Sequence, residues 1–239
     1  MEAKTVAIME VWGDFGCFTR PEAKVERMTY PAITPSAARG IFEAIYWKPE
    51  FRWVIDQIAV LTEPRYITLR RNEVKDKVPS ERTIGQWMTG EKPVEPLWAD
   101  GTKEWLGTDG KGRTQRQTVA LRHPHYRLFA HIEPWPGYEL QSSKFEAQFR
   151  RRAERGQCIY QPYLGCREFP AYFRVSDEQA DPPPIETTAD WGLMIYDVFS
   201  RRTPGSPYSE PEIQVFRCQI NRGVIHVPHY TDLASEKRE

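Results

Sequence analysis

The chain has 239 residues, 33 Lys or Arg against 33 Asp or Glu, 40% hydrophobic and 28% charged residues. That length suits one large domain or two small ones, and the composition is that of a globular protein. The neutral balance excludes wholesale electrostatic wrapping of nucleic acid but leaves room for a local basic groove. No apolar run approaches the length of a membrane span, and the opening "MEAKTVAIMEVWG" goes straight into a strand pattern without the form of a signal peptide. Cys17, Cys158, Cys166 and Cys218 show no C-x-x-C spacing. Reduced thiols in a cytoplasm, and no structural zinc, are therefore expected.

Residues 5–13, "TVAIMEVWG", alternate as a strand, with Ile8 and Glu10 on one side and Ala7, Met9 and Val11 on the other. Residues 14–33 have no clear period and read as a long ordered loop. In "TPSAARGIFEAIYW", Thr34 is an N-cap and Pro35 occupies the first helical position; Ala38, Ile41, Phe42 and Ile45 form an apolar face. Residues 51–74 read as two strands broken near Glu63-Pro64. Residues 76–112 are polar and look like an insertion or an extended hairpin.

Residues 113–135 are strand-like, with a break at Pro124. From Lys111 to Arg127 there are five Lys or Arg, two His and no carboxylate. "SKFEAQFRRRAERG" (143–156) is a second helix, with Ser143 and Glu146 at capping-box spacing. Residues 163–175 read as a strand and "DEQADPPPIETTAD" (177–190) as a linker. Three strands follow, the last two joined by a hairpin at Asn221-Arg222-Gly223. The order β-α-β-β-α-β predicts an α+β, ferredoxin-like (RRM-type) domain over residues 1–176 with an inserted hairpin region. A small C-terminal antiparallel β domain is expected over 190–239.

The segments "VWGDFGCFTRPEAKVERMTYPAITPSAARGIFEAIYWKPEFRW" (11–53), "RTQRQTVALR" (113–122) and "YLGCREFPAYF" (163–173) closely resemble the fifth family of CRISPR-associated proteins in its subtype I-C, or Dvulg, form. The resemblance implies a ferredoxin-like domain with a smaller C-terminal β domain. It also implies an endoribonuclease that takes over from the sixth-family enzyme of other type I systems. Such a protein cuts the CRISPR repeat hairpin RNA without metal or other cofactor, leaves 2′,3′-cyclic phosphate and 5′-hydroxyl ends, and stays on the 5′ handle of the guide RNA. Its implied partners are the seventh-family backbone and eighth-family large subunits. The alternative is a non-catalytic subunit that caps the handle and organises the complex.

Relatives of this kind resemble one another in a catalytic tyrosine after the first helix and a lysine-histidine pair in the basic strand. By motif the tyrosine is Tyr46, and the pair aligns with Arg116 and Gln117. Arginine keeps the charge but gives up no proton near neutral pH, and glutamine transfers none. A general base is then sought among His123, His125 and His131, with His125, beyond the Pro124 break, the freest; an ordinary structural or surface histidine is the alternative for each. A phenol with an ordinary pKa of about 10 is a poor base unless cations lower it, so Tyr46 is equally a packing residue or an orienting one. Lys111, Arg113, Arg116 and Arg122 are candidate phosphate ligands, and Tyr126 a candidate stacking surface. Arg20, Lys24 and Arg27 are candidate handle or subunit contacts by the resemblance. The arginines of 149–155 read first as a solvated helix face.

Overall fold

The computed structural model describes residues 6–23, 25–108, 110–199 and 211–233. The chain divides into two compact units, one of residues 1–67 with 119–239 and one of residues 68–118. In chain order the elements are β1 (Ala7–Trp12), β2 (Phe15–Gly16), β3 (Arg27–Met28), α1 (Pro35–Ile45), β4 (Phe51–Val60), β5 (Tyr66–Val74), α2 (Glu81–Thr89) and α3 (Lys103–Leu106). They continue with β6 (Arg113–Arg122), β7 (His125–Pro134), α4 (Ser142–Glu154), β8 (Tyr172–Val175), β9 (Ala189–Asp197), β10 (Gln214–Asn221) and β11 (Val224–His226).

The first unit is built on a seven-stranded sheet in the order β8-β1-β7-β4-β11-β10-β9. Every pairing registered in it is antiparallel. Period-two alternation divides its residues between two faces. Met9 and Val11 of β1, Leu128, Ala130 and Ile132 of β7, and Trp53, Ile58 and Val60 of β4 join the core with the apolar stripes of α1 and α4. Aromatic rings fasten the helices to the sheet: Phe42 of α1 lies 4.9 Å from Trp53, and Phe149 of α4 lies 4.6 Å from it, centroid to centroid. The other face carries Ile8, Ala59, Leu61 and Phe129 in a smaller cluster.

α1 begins as its sequence dictates. The Thr34 hydroxyl accepts from the Ala37 N–H at 3.3 Å, with Pro35 at the first helical position. α4 begins one residue before the expected Ser143, and no capping box forms. Instead the Ser142 hydroxyl donates to Glu146 at 3.0 Å, one turn on. The expected strand over 163–175 is strand only at Tyr172–Val175; its first part is a turn closed by a bridge between Tyr163 and Pro170.

The domain boundary expected at the proline linker is not one. β11 pairs with β4, Ile225 opposite Ile58, so β9–β11 extend the central sheet rather than forming a sheet of their own. The linker itself is bonded in: the Ile185 N–H donates to Val60 O at 2.9 Å, and the buried Arg127 guanidinium donates to the carbonyls of Ala180 and Pro182. The hairpin at 221–223 is as expected. Arg222 (φ 46°) and Gly223 (φ 75°) both take the left-handed conformation of a two-residue turn. Gly223 is required there, because a Cβ would lie 2.3 Å from Ile185 O.

The second unit falls where the insertion was expected. β5 pairs with β6, and α2 and α3 lie between them in the chain. Both helices carry the full local start and stop chemistry: Ser80 and Thr102 hydroxyls accept at the N-termini, and Gly90 and Gly107 close the C-termini in the left-handed conformation. Trp98 and Trp105 pack at 4.9 Å between centroids.

Candidate functional site

At one end of β1, β7 and β8, on the sheet face opposite the helices, Glu10, Trp12, His125, Tyr172 and Arg174 line a concavity of about 410 Å³ with Asp14 and His123. Alternation brings them there. Glu10 and Trp12 are on the β1 face that avoids the core, and His125 and Tyr172 both lie opposite Trp12 in the neighbouring strands. Glu10 is 3% exposed and bonded on both oxygens: His125 Nε2 is 2.7 Å from Oε1, and Arg174 Nη2 donates to Oε2 at 2.7 Å. Burial pushes the Glu10 carboxyl up, but the hydrogen bonds from Arg174 and His125 outweigh it and hold the group below the ordinary carboxylate range.

An ionised Glu10 accepts only, so His125 presents an Nε2–H to it and the neutral ring keeps Nδ1 as its acceptor. Three rings line up across the strands, with Trp12 between His125 and Tyr172. Trp12 meets the histidine edge-on at 5.9 Å, and Tyr172 lies 6.2 Å from Trp12. The break that frees His125 is the one expected at Pro124: β6 ends at Arg122, and His123 takes φ 49° with its N–H donated to Asp14 O. His123 is exposed, with Asp14 at 3.9 Å. His131 is buried, and its Nδ1 pairs with Asp56 at 2.8 Å.

Tyr46 lies elsewhere. It ends α1, is 7% exposed and packs on Phe51 at 5.5 Å. Phe51 pairs with Pro134, at the far end of the β4–β7 ladder from the Val60–Tyr126 pair beside His125. That ladder is about 25 Å long, so the structure does not bring Tyr46 and His125 together. Burial, reinforced by Glu50, pushes the Tyr46 phenol up despite Arg152 nearby, so it keeps its proton near neutrality.

Arg116 and Gln117 belong to the second unit. Arg116 Nε donates to Glu73 at 3.1 Å, and Arg71 holds the same carboxylate at 2.9 Å. Gln117 is exposed. Arg113 and Arg122 are exposed at the two ends of β6, and Lys111 stands 3.7 Å from Glu95. The basic run is thus unopposed only along the chain; Glu73 and Glu95 meet it in space.

Tyr126 is not a stacking surface. It is 2% exposed, because alternation restarted at His125 puts it on the core face with Leu128 and Ala130. Its phenol, pushed far up by burial, hydrogen-bonds the backbone of Ile33. Arg20 lies over the Tyr30 ring at 5.0 Å, and Arg27 donates to Glu168 at 2.8 Å. Lys24 lies outside the described residues. Sequence reasoning missed Glu10, Arg174, Trp12 and Tyr172 as residues sharing the pocket with His125. A charged residue inside the strand "AIMEVW" was the available signal for Glu10.

Among the described residues no helix is long and apolar enough to cross a membrane. The two units define an α+β protein dominated by antiparallel sheet, with a polar, aromatic-edged pocket on one sheet face. The chain belongs to the Cas5 family of CRISPR-associated proteins: the model described as CRISPR-associated protein (Cas_Cas5) matches residues 7–228, and the resemblance to the subtype I-C form is borne out. It is 38% identical over 230 residues to the CRISPR pre-crRNA endoribonuclease Cas5d of Mannheimia succiniciproducens, covering 93% of this chain and 94% of that one. It is 36% identical over 232 residues to the protein of the same name from Thermus thermophilus, covering 92% and 90%. Among solved structures, the functionally uncharacterized protein SMU1763c of Streptococcus mutans superposes with TM-score 0.64 at 17% identity over 96% of this chain and 95% of that one, a likeness of fold.

Proposed function

We propose that this chain is a CRISPR precursor-RNA endoribonuclease that cuts within the repeat hairpin and stays on the 5′ handle of the guide RNA. The observation that carries the reading is the match, over at least nine-tenths of both chains, to two relatives named pre-crRNA endoribonucleases. The strand order β8-β1-β7-β4, with α1 after β1 and α4 after β7, supports a ferredoxin-like, RRM-type core. In the complex, its partners are the seventh-family backbone and eighth-family large subunits.

In cleavage by the RNA's own 2′-hydroxyl, the protein moves two protons and stabilises a phosphorane. His125 is the group in the pocket suited to proton transfer. Glu10 fixes its tautomer, and Arg174, 58% exposed beyond its bond to Glu10, offers positive charge to a phosphate. Trp12 and Tyr172 offer ring faces to flanking bases. Tyr46, holding its proton, serves as a hydrogen-bond donor or as packing rather than as a base.

A second reading, a handle-binding subunit that does not cut, is favoured by one observation. At the positions aligned with the family's basic pair, Arg116 is neutralised by Glu73 and Gln117 carries no transferable proton. The test is cleavage of the host repeat RNA in excess EDTA, beside a substrate with hydrogen in place of the 2′-hydroxyl at the cut. A single cut ending in a cyclic phosphate, lost on the deoxy substrate, is expected. Tight binding of the repeat without a cut overturns the enzyme reading in favour of the second.

A further inference from the structure

Two of the four cysteines, 149 positions apart in the chain, meet outside the pocket just described. The loop after β2 and the turn before β8 run against each other: the Cys17 N–H donates to Leu164 O at 3.0 Å, and the Cys166 thiol lies 3.5 Å from Cys17 O. Gly165 allows this approach. It sits at φ 83°, and a Cβ there would fall 2.1 Å from Cys17 O. The Cys17 thiol itself donates to Val119 O at 3.8 Å. Around the two thiols, Arg27 Nη1 donates to Cys166 Sγ at 3.5 Å, and Thr19 Oγ1 stands 3.6 Å from Cys17 Sγ. Cys166 is partly exposed and Cys17 buried.

The two sulfurs are unequal. Hydrogen bonding from Cys17, with the Arg27 charge beside it, pulls the Cys166 thiol down to about 7 against its burial. The same bond, with burial, pushes Cys17 far up. Cys166, partly exposed and beside Arg27, is therefore the sulfur that ionises first, and buried Cys17 the one that keeps its proton. Neither remaining cysteine shares this setting: Cys218 is buried and pushed up to about 12, and Cys158 is partly exposed with no such cation beside it among the described residues.

We propose that Cys17 and Cys166 form a dithiol modification site that exchanges with low-molecular-weight disulfides, Cys166 attacking and Cys17 resolving. In the first step the Cys166 thiolate attacks one sulfur of RS–SR. The Cys166–SR bond forms, the S–S bond breaks, and RS⁻ leaves. Capping Cys166 removes the negative charge that opposed ionisation of Cys17. Cys17 then gives its proton to solvent and attacks Cys166 Sγ, closing the Cys17–Cys166 disulfide and expelling the second RS⁻. Two protein thiols are oxidised and one disulfide is reduced to two thiols. Closure takes the thiolate from Arg27, leaving Glu168 as its anionic neighbour among the contacts described, and staples the β2–β3 loop to the turn before β8.

The experiment is incubation of the full chain with oxidised glutathione, followed by thiol titration, intact mass and peptide mapping. Loss of two thiols with no retained glutathione, a mass lower by two hydrogens and a Cys17–Cys166 cross-linked peptide are expected, with a rate that rises through about pH 7. Cys17→Ser is expected to retain glutathione on Cys166, and Cys166→Ala to leave Cys17 reduced. Wild type and variants are compared only where their circular-dichroism melts show a folded chain, and Cys158→Ser, away from the pair, is a further check that keeps both thiols. Reaction at Cys158 in preference, a stable adduct on Cys166 in the wild type, or no reaction at Cys166 overturns the proposal. None of these readouts depends on RNA cleavage, so the proposal stands or falls apart from the nuclease reading.

Discussion

His125 and Glu10 meet diagonally across the β1–β7 ladder. His125 lies opposite Trp12 and Glu10 opposite Arg127, yet the 2.7 Å contact joins His125 Nε2 to Glu10 Oε1. The diagonal is open because Arg127 turns its guanidinium to the carbonyls of Ala180 and Pro182. The other Glu10 oxygen goes to Arg174, directly opposite in β8. One buried carboxylate thus orients the histidine and fixes an arginine on the same sheet face.

If that histidine transfers the proton, His125→Ala is expected to slow single-turnover cleavage of repeat RNA by about 10²–10⁴-fold while RNA affinity changes little. Glu10→Gln is expected to fall between wild type and His125→Ala, since the ring loses the carboxylate that orients it. Equal rates for wild type and His125→Ala would remove His125 from the chemistry.

Tyr46 and His125 stand at opposite ends of the β4–β7 ladder, so they cannot serve one phosphate. Tyr46→Phe keeps the ring on Phe51 and is expected to leave cleavage within a few-fold of wild type, at a cost under about 1.5 kcal/mol. Tyr46→Ala removes a buried ring and is expected to cost about 3–5 kcal/mol in urea denaturation. A large rate loss in a folded Tyr46→Phe would move the cleavage site to the other end of the sheet.

Glu73 opposes both Arg71 and Arg116. Glu73→Gln leaves two cations in place and is expected to raise RNA affinity at low salt and to steepen the salt dependence by about one phosphate's worth of counterion release. Binding isotherms from low to moderate salt check this. No change in slope means the RNA does not reach these arginines.

Glu10 and Glu133 both hold carboxyls below the ordinary range. Burial pushes each up. Arg174 and His125 outweigh it at Glu10, and Arg52 with His229 does so at Glu133. A depressed carboxyl contributes stability that is whole above the unfolded pKa, roughly 4.3 for Glu, and that fades as pH falls through the folded value. The melting temperature is therefore expected to hold from pH 8 to 5, as far as these groups decide it, and to drop below about pH 4. Glu10→Gln and Glu133→Gln are each expected to flatten that acid limb, as followed by circular-dichroism melts.

Arg52 is packed between the Trp135 and Tyr230 rings, at 4.3 and 4.1 Å from their centroids, and pairs with Glu133 at 2.9 Å. Arg52→Ala strips packing, cation–π contact and ion pair at once. With Glu133 partly solvated, a loss of roughly 2–4 kcal/mol is expected, read from the urea midpoint. A loss under about 0.5 kcal/mol, the level of ordinary surface substitutions, would show that the cluster contributes little.

What the sequence determined by itself is what short-range periods and local bonds determine. The alternation in "AIMEVW" separates Glu10 from Met9 and Val11; Thr34 and Pro35 start α1; Pro124 ends β6; and Arg222-Gly223 turns the last hairpin. Each follows from φ, ψ or a bond within a few residues. The family, too, was legible in the long motif over 11–53. What tertiary structure alone decided is which distant groups meet. Tyr126 went to the core because alternation restarted after the break. β9–β11 joined the central sheet because the linker bonds to β4 instead of leaving it. Glu10 found His125, Glu73 found Arg116, and Cys17 found Cys166, through strand register and loop packing across 43 to 149 positions. Local pattern carries no term for register between elements so far apart, and the neutralising partners of the basic strand were therefore invisible until the chain folded.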